Sequence, residues 1–200
     1  MTEVERALVR VSAALASRDK SALTSAFEEA VEIADRIEVE EVILQSYLFL
    51  GFPAALNGMA AWRRFSGTVE TAPENLDCGA LADRGDAVCG RVYSGQYEKL
   101  RETVRALHSD LEQWMVVEGY GKVLGRPGLS LRTRELCIVA SLSVVGASKQ
   151  LYSHLRGAVN VGAELSDVGE ALSQADRYLD EEGRLMSRRV WDKVQQRYAN

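Results

Sequence analysis

The chain has 200 residues, of which 46% are hydrophobic and 26% charged, and its formal net charge is −5. This length and apolar content allow one sizeable core, and they exclude a wholly disordered chain. No basic stripe that could neutralise phosphates is present, which disfavours nucleic-acid binding.

The first part of the chain has helical periodicity. Thr2 and Glu5 form a capping-box pattern ahead of apolar residues at helical spacing. Gly51 ends the third predicted helix, and Pro53 can stand in the first turn of the fourth. Helices are predicted over residues 2–15, 21–34, 39–50 and 53–65, followed by a loop over residues 68–77. The apolar stretch 42–62 contains polar residues and Pro53, so it predicts core helices and no membrane span.

The second part continues the pattern. Ser109, Ser130 and Ser166 are predicted N-caps, and Gly146 is predicted to end a helix. Helical periodicity predicts helices over residues 109–123, 131–145, 148–161, 166–179 and 183–198. Since strand patterns are nearly absent, the sequence predicts an all-α bundle of helical hairpins.

The predicted organisation is a single domain over residues 1–200, with a first half, 1–67, and a second half, 81–200, joined by a loop. Residues 25–35 share apolar positions, a serine, an alanine and a valine with residues 153–163. A duplicated helical hairpin and chance similarity between helices both remain open.

Cysteines and histidines are few. An odd number of cysteines without a close pair favours reduced thiols in a cytoplasmic protein. The first residues lack a basic region followed by an apolar one, so no secretory signal is expected. Two histidines are too few for a histidine-rich metal site. Cys137 is expected to be buried and inert, while Cys89 is placed in a loop or at a helix start, and the roles of Cys89 and Cys78 stay open.

Two predicted helices of the second half carry a possible acid/base pair. Glu135 lies early in one helix and His154 midway along the next, and the short turn at Gly146 predicts that these helices run antiparallel. The two side chains could then be neighbours, and a carboxylate beside an imidazole is a usable acid/base unit. Gln150 lies one turn before His154 on the same face, and Arg156 follows. A purely structural pair, with the glutamate complementing the helix dipole, is the competing interpretation.

Residues 132–163 resemble the signature of the carboxymuconolactone decarboxylase family. They read Arg-x-Arg-Glu-Leu and then Gln-Leu-x-x-His-x-Arg-Gly-Ala-x-Asn-x-Gly-Ala. Residues 41–57, which include Gly-Phe-Pro-Ala-Ala, also resemble a family element, although in the short decarboxylases that element follows the histidine helix. The resemblance implies an alkylhydroperoxidase-like helical fold, and the order of the two elements predicts a duplicated or permuted version of it.

The family contains two chemistries. The alkylhydroperoxidase branch uses a C-x-x-C pair, whose positions fall here on Ala147 and Gln150, so the thiolate and the resolving thiol of peroxide reduction are absent. The decarboxylase branch also lacks this pair and keeps the histidine. It removes the carboxylate of a carboxylated muconolactone, with no metal or organic cofactor implied.

The resemblance also implies residue roles. His154 would donate a proton or stabilise charge, Glu135 would orient it, and Gln150, Arg156, Arg134 and Phe52 would contact a small-molecule substrate. The expected protein is a cytoplasmic homo-oligomer, a trimer or hexamer, without nucleic-acid or membrane partners. The alternative functions are a non-catalytic ligand-binding or scaffold protein and, less well supported, a thiol peroxidase.

Overall fold

The structure, a computed structural model, describes residues 1–74 and 76–199. Those residues contain helices and no strand, which confirms the all-α prediction. The α-helices are α1 (Glu3–Ser17), α2 (Lys20–Ile33), α3 (Arg36–Leu50), α4 (Phe52–Ser66), α5 (Cys78–Tyr93), α6 (Tyr97–Leu107), α7 (Ser109–Trp114), α8 (Leu131–Val145), α9 (Ser148–Asn160), α10 (Leu165–Ala175) and α11 (Glu181–Tyr198). A π-helical segment, Met115–Leu124, continues α7. The predicted loop over residues 68–77 is non-helical where it is described, and its Asn75 lies outside the described residues.

The chain divides into two compact units. Unit 1 is Met1–Thr68 together with Gly128–Asn200, and unit 2 is Val69–Pro127. The predicted halves, 1–67 and 81–200, stay a prediction.

Several helix boundaries follow the predicted capping residues. The Thr2 hydroxyl accepts a hydrogen bond from the Glu5 amide while the Glu5 carboxylate accepts one from the Thr2 amide, which is the predicted capping box. Ser130 caps α8 by accepting from the Thr133 amide. Gly146 ends α8 at φ +78°, in the left-handed region that glycine adopts without steric cost.

Other boundaries were predicted wrongly. His108, and not Ser109, is the N-cap of α7, because its Nδ1 accepts a hydrogen bond from the Asp110 amide. Ser166 lies inside α10, which begins at Leu165, so the predicted Ser166 cap is also wrong. By contrast, the predicted loop ends at Asp77 as expected, because the Asp77 carboxylate caps α5, which begins at Cys78.

Helix α8 is the central element of unit 1. It contacts α1, α3, α9, α10 and α11, and residues 133–143 are all buried. A helix buried on every side is the arrangement expected of a core element. Two hydroxyl pairs satisfy its buried serines: Ser12 with Ser141, whose Oγ atoms are 2.8 Å apart, and Ser143 with Ser187, at 2.7 Å.

Unit 2 is built on close packing between α5 and the π-helical segment. A Cβ added to Gly85 would lie 2.1 Å from the Val116 carbonyl oxygen, and one added to Gly121 would lie 2.1 Å from the Leu81 carbonyl oxygen. The two backbones can therefore approach this closely only because both positions are glycine.

No helix in the described part of the chain is both long enough and apolar enough to cross a membrane.

Candidate functional site

The α8–α9 hairpin brings Glu135 and His154 together. Nδ1 of His154 lies 2.8 Å from Oε2 of Glu135, within hydrogen-bond distance. Glu135 is fully buried and His154 is 5% exposed. The proximity expected from the antiparallel hairpin is therefore present in the structure.

The carboxylate of Glu135 is only partly used by the protein. Its Oε1 is buried and has no hydrogen-bond partner among the described residues. A buried carboxylate oxygen without a donor carries a desolvation penalty, which a bound molecule or water with a donor group would relieve. This oxygen is thus a buried polar atom beside the imidazole that has no donor among the described residues.

An aromatic ring also contacts the imidazole. The ring centroid of Phe49 lies 5.8 Å from that of His154, and the two planes meet at 89°. Edge-to-face contacts of this kind are favoured by the quadrupole of the aromatic ring. The Glu135 hydrogen bond and the Phe49 contact together restrict how the imidazole can rotate.

A second buried polar group lies next in the sequence. Arg134 is fully buried, and its Nη2 lies 2.8 Å from Oε2 of Glu41, while its Nη1 lies 3.3 Å from Oε1 of Gln45. The Gln45 amide also donates to the Arg134 carbonyl at 3.4 Å. The Arg134 charge is therefore already matched by a buried carboxylate of α3. Its predicted role in substrate binding stays a prediction.

The remaining predicted contacts lie in different surroundings. Gln150 is exposed in the first turn of α9. Arg156 is half-buried with its guanidinium carbon 5.7 Å from the centre of the Tyr152 ring, and its buried Nε has no hydrogen-bond partner among the described residues. Phe52 is 61% exposed and stacks on Tyr47. Their predicted roles in binding are likewise untested predictions.

The cysteines are separate from the Glu135–His154 pair. Cys137 is buried as expected, and burial raises the pKa of its thiol well above the usual range. Cys89 is buried in the last third of α5, so its predicted place in a loop or at a helix start is wrong. The reason is the Asp77 cap, which begins the helix three turns earlier. Cys78 is exposed.

Three contacting residues were not predicted from the sequence: Glu41 and Gln45, which contact Arg134, and Phe49, which contacts His154. A signal existed for two of them. Glu41 and Gln45 are spaced i, i+4 within an otherwise apolar stretch, which places two polar groups on one helical face. Phe49 gave no comparable signal, because an aromatic residue in an apolar helix is ordinarily a core residue.

This arrangement can hold the imidazole in one tautomer. If Glu135 is ionised it can only accept, so Nδ1 of His154 carries the hydrogen of the hydrogen bond between them. Among the described residues, no group of three or more histidine, cysteine, aspartate or glutamate side chains is placed to hold a metal ion.

The fold and the buried Glu135–His154 pair place this protein in the class of all-helical proteins with a candidate acid/base site. Residues 111–190 match the sequence model of the carboxymuconolactone decarboxylase family, and this segment contains both Glu135 and His154. The resemblance drawn from residues 132–163 is therefore confirmed for this part of the chain.

The chain is also similar to the 4-carboxymuconolactone decarboxylase of Acinetobacter baylyi, with 29% identity over 77 residues. The alignment covers 38% of this chain and 58% of that protein, so the chain spans somewhat more than half of the relative's length.

Proposed function

We propose that this protein is a cofactor-free acid/base enzyme that decarboxylates a small carboxylated lactone or a related carboxylic acid. The observation that carries the proposal is the 2.8 Å contact between His154 Nδ1 and Glu135 Oε2 in a buried setting. The family match over residues 111–190 and the name of the Acinetobacter baylyi relative support the choice of reaction.

The proposed reaction needs two events. The bond between the substrate carbon and its carboxylate breaks, CO₂ leaves, and the electron pair passes into the lactone carbonyl as a dienolate. A proton from the His154 imidazolium then bonds to carbon, which gives the enol-lactone, and the imidazole regains its proton from water. In this scheme His154 is the catalytic acid and the nearby positive charge that stabilises the dienolate.

Glu135 is proposed as a positioning residue. Its Oε2 holds Nδ1 of His154 and so keeps Nε2 as the nitrogen that exchanges protons with the ligand. The proposed role of Oε1 is to accept a hydrogen bond from the substrate or from the water that returns the proton.

The decisive experiment is His154→Gln, assayed with 4-carboxymuconolactone and other small carboxylated lactones. We expect kcat/KM to fall about 10²–10⁴-fold, the usual contribution of a positioned general acid. His108→Gln is the matched control, because His108 is an exposed cap residue of unit 2 and its loss should leave turnover unchanged. Retention of turnover by His154→Gln would overturn the proposal, as would a wild-type protein that turns over none of these lactones.

Glu135→Gln tests the positioning role. The amide keeps the size of the side chain but can donate to Nδ1, which selects the other tautomer of His154. We expect kcat to fall about 10–100-fold with little change in KM. An unchanged kcat, or a fall in kcat/KM that comes from KM alone, would contradict this role.

A structural pair is the second candidate, and one observation favours it. His154 is only 5% exposed, and the cavity of about 740 Å³ in unit 1 is lined by neither Glu135 nor His154. A structural role predicts that His154→Gln lowers the free energy of unfolding and that the wild-type protein releases no CO₂ from the lactones. A ligand-binding or scaffold protein would fit that outcome.

A further inference from the structure

A cavity in unit 1 lies apart from the Glu135–His154 pair. It has a volume of about 740 Å³ and is lined by the end of α1, the start of α2, Leu50 of α3 and one face of α4. Binding sites for small organic molecules commonly enclose about 300–1,000 Å³, so this space is large enough for one.

Much of the cavity wall is apolar. Ala14 and Leu15 of α1 are buried, and Leu50, Pro53 and Ala54 supply further apolar surface. Gly58 lets α4 approach α1 here, because a Cβ at this position would lie 2.6 Å from the Leu15 side chain. The wall therefore suits the hydrocarbon part of a ligand.

The same cavity carries an excess of positive charge. Arg18, Lys20 and Arg64 line it and are exposed, and within the described part of the chain none of their side chains forms an ion pair or hydrogen bond. The opposing carboxylate is that of Asp19, which accepts hydrogen bonds from the Ser21 and Ala22 amides as the cap of α2. The cavity wall therefore carries a net positive charge, although the net charge of the whole chain is −5.

The backbone at Arg18 supports a role for its side chain. Arg18 follows α1 with φ +59°, in the left-handed region where glycine or asparagine is the usual residue. An arginine there bears a steric penalty that glycine would avoid. The position nevertheless holds a guanidinium, and that guanidinium lines the cavity.

We propose that this cavity is a binding site for a small amphipathic anion, with an aliphatic carboxylate as the chemical class. The hydrocarbon chain would lie against Leu15, Leu50 and Ala54, and the carboxylate would pair with the guanidinium and ammonium groups of Arg18, Arg64 and Lys20. The site goes beyond the proposed function, because neither Glu135 nor His154 lines the cavity.

The experiment is calorimetric titration with three probes: octanoate, which has charge and chain; octan-1-ol, which has the chain alone; and acetate, which has the charge alone. We expect octanoate to bind at least about tenfold more tightly than octan-1-ol, since one charge-assisted hydrogen bond contributes about that much. It should also bind at least about tenfold more tightly than acetate, which has no hydrocarbon chain to bury. Raising the salt concentration should weaken octanoate binding by screening the cations. Equal binding of octanoate and octan-1-ol, or no octanoate binding, would overturn the proposal.

Two sets of substitutions locate the site. Replacing Arg18, Lys20 and Arg64 together with glutamine should weaken octanoate binding at least about tenfold. The matched control replaces the exposed Arg188, Arg189 and Lys193 of α11 with glutamine, which changes the net charge equally but lies outside the cavity wall. An equal loss in both triple variants would show a non-specific charge effect and contradict the site.

Ala61→Phe fills the cavity from α4 and should also weaken octanoate binding. His154→Gln should bind octanoate as the wild type does, whatever its effect on turnover. Failure of the proposed enzyme activity and failure of this binding site are therefore separate results. Loss of octanoate binding in His154→Gln, with both triple variants binding normally, would place the anion at the histidine and overturn the assignment to this cavity.

Discussion

Different kinds of contact stabilise the interior of each unit. Unit 1 surrounds α8 with five helices and buries charged groups, including Arg134, Glu41 and Glu135, among its apolar residues. In unit 2, α5 and the π-helical segment pack backbone against backbone at Gly85 and Gly121. Ion pairs of unit 2, such as Arg84 with Glu74, are partly exposed to solvent.

This difference predicts which substitutions should lower the stability of each unit most. A buried charge cannot exchange its partner for water, so unit 1 should be most sensitive where a charged partner is removed. A backbone contact cannot yield to an added side chain, so unit 2 should be most sensitive at its glycines. Partly exposed ion pairs should matter least, because water replaces either partner.

The largest effect is expected for Arg134→Met in unit 1. The substitution removes the guanidinium that faces the buried Glu41 carboxylate at 2.8 Å. We expect the free energy of unfolding, measured by urea denaturation, to fall by about 3–5 kcal/mol. Replacing Glu41 with leucine in the same variant should recover much of the loss, because no buried charge would then face the methionine.

Arg101→Met in unit 2 is the control for this comparison. Arg101 is 27% exposed, and its partner Glu112, although buried, also pairs with the exposed Arg105, so one cation remains after the substitution. We expect a loss of about 1 kcal/mol. Equal losses from Arg101→Met and Arg134→Met would show that burial does not separate the two units.

An intermediate effect is expected for Gly121→Ala in unit 2. The added Cβ would lie 2.1 Å from the Leu81 carbonyl oxygen, and because this atom belongs to the backbone, α5 must shift as a whole. We expect the free energy of unfolding to fall by about 1–3 kcal/mol.

Gly119→Ala is the matched control in the same π-helical segment. Apart from the adjoining backbone of its own helix, the atom nearest to a Cβ added at Gly119 would be the Trp114 carbonyl oxygen, at 3.9 Å. This distance is an ordinary van der Waals contact. This variant should be neutral or slightly more stable, because alanine restricts the unfolded chain. If both glycine variants unfold alike, the close approach of α5 is not what stabilises unit 2.

Structural features that depend on residues close together in the chain could be predicted from the sequence. Thr2, Ser130 and Gly146 act within one helical turn, so their capping roles could be predicted from local spacing. The meeting of Glu135 and His154 was also predictable, because a short turn fixes two consecutive helices as an antiparallel hairpin. Ser109 was assigned wrongly because serine is a common cap, whereas here the imidazole of His108 accepts the hydrogen bond.

Contacts between distant residues were not predictable in this way. Arg134 meets Glu41 and Gln45 across about ninety residues of chain, and Phe49 reaches His154 across a similar separation. Helical periodicity shows which face of α3 is buried, but it does not show which helix covers that face. The surroundings of the acid/base pair therefore required the tertiary structure.

The smallest effect concerns Glu74, a partly exposed carboxylate of unit 2. The two terminal guanidinium nitrogens of Arg84, Nη1 and Nη2, bind it at 2.7 and 3.0 Å, and this hydrogen bonding lowers the pKa of Glu74 below its ordinary value of 4.5. A lowered pKa means that the ion pair stabilises the folded state above pH 4.5 and that this contribution is lost as the pH falls through the lowered value. Glu74→Gln should therefore reduce the free energy of unfolding by about 0.5–1 kcal/mol at pH 7.

The difference between Glu74→Gln and the wild type should shrink steadily below pH 4.5, which urea denaturation at a series of pH values can measure. Glu70→Gln is the control, because Glu70 is exposed in the same segment and forms no ion pair with a described residue. Its substitution should change stability little at any pH. A difference for Glu74→Gln that stays constant down to strongly acidic pH would mean that the carboxylate stabilises unit 2 by its shape and contacts, and not by its charge. The contrast between buried and partly exposed charges would then lose its electrostatic basis in unit 2.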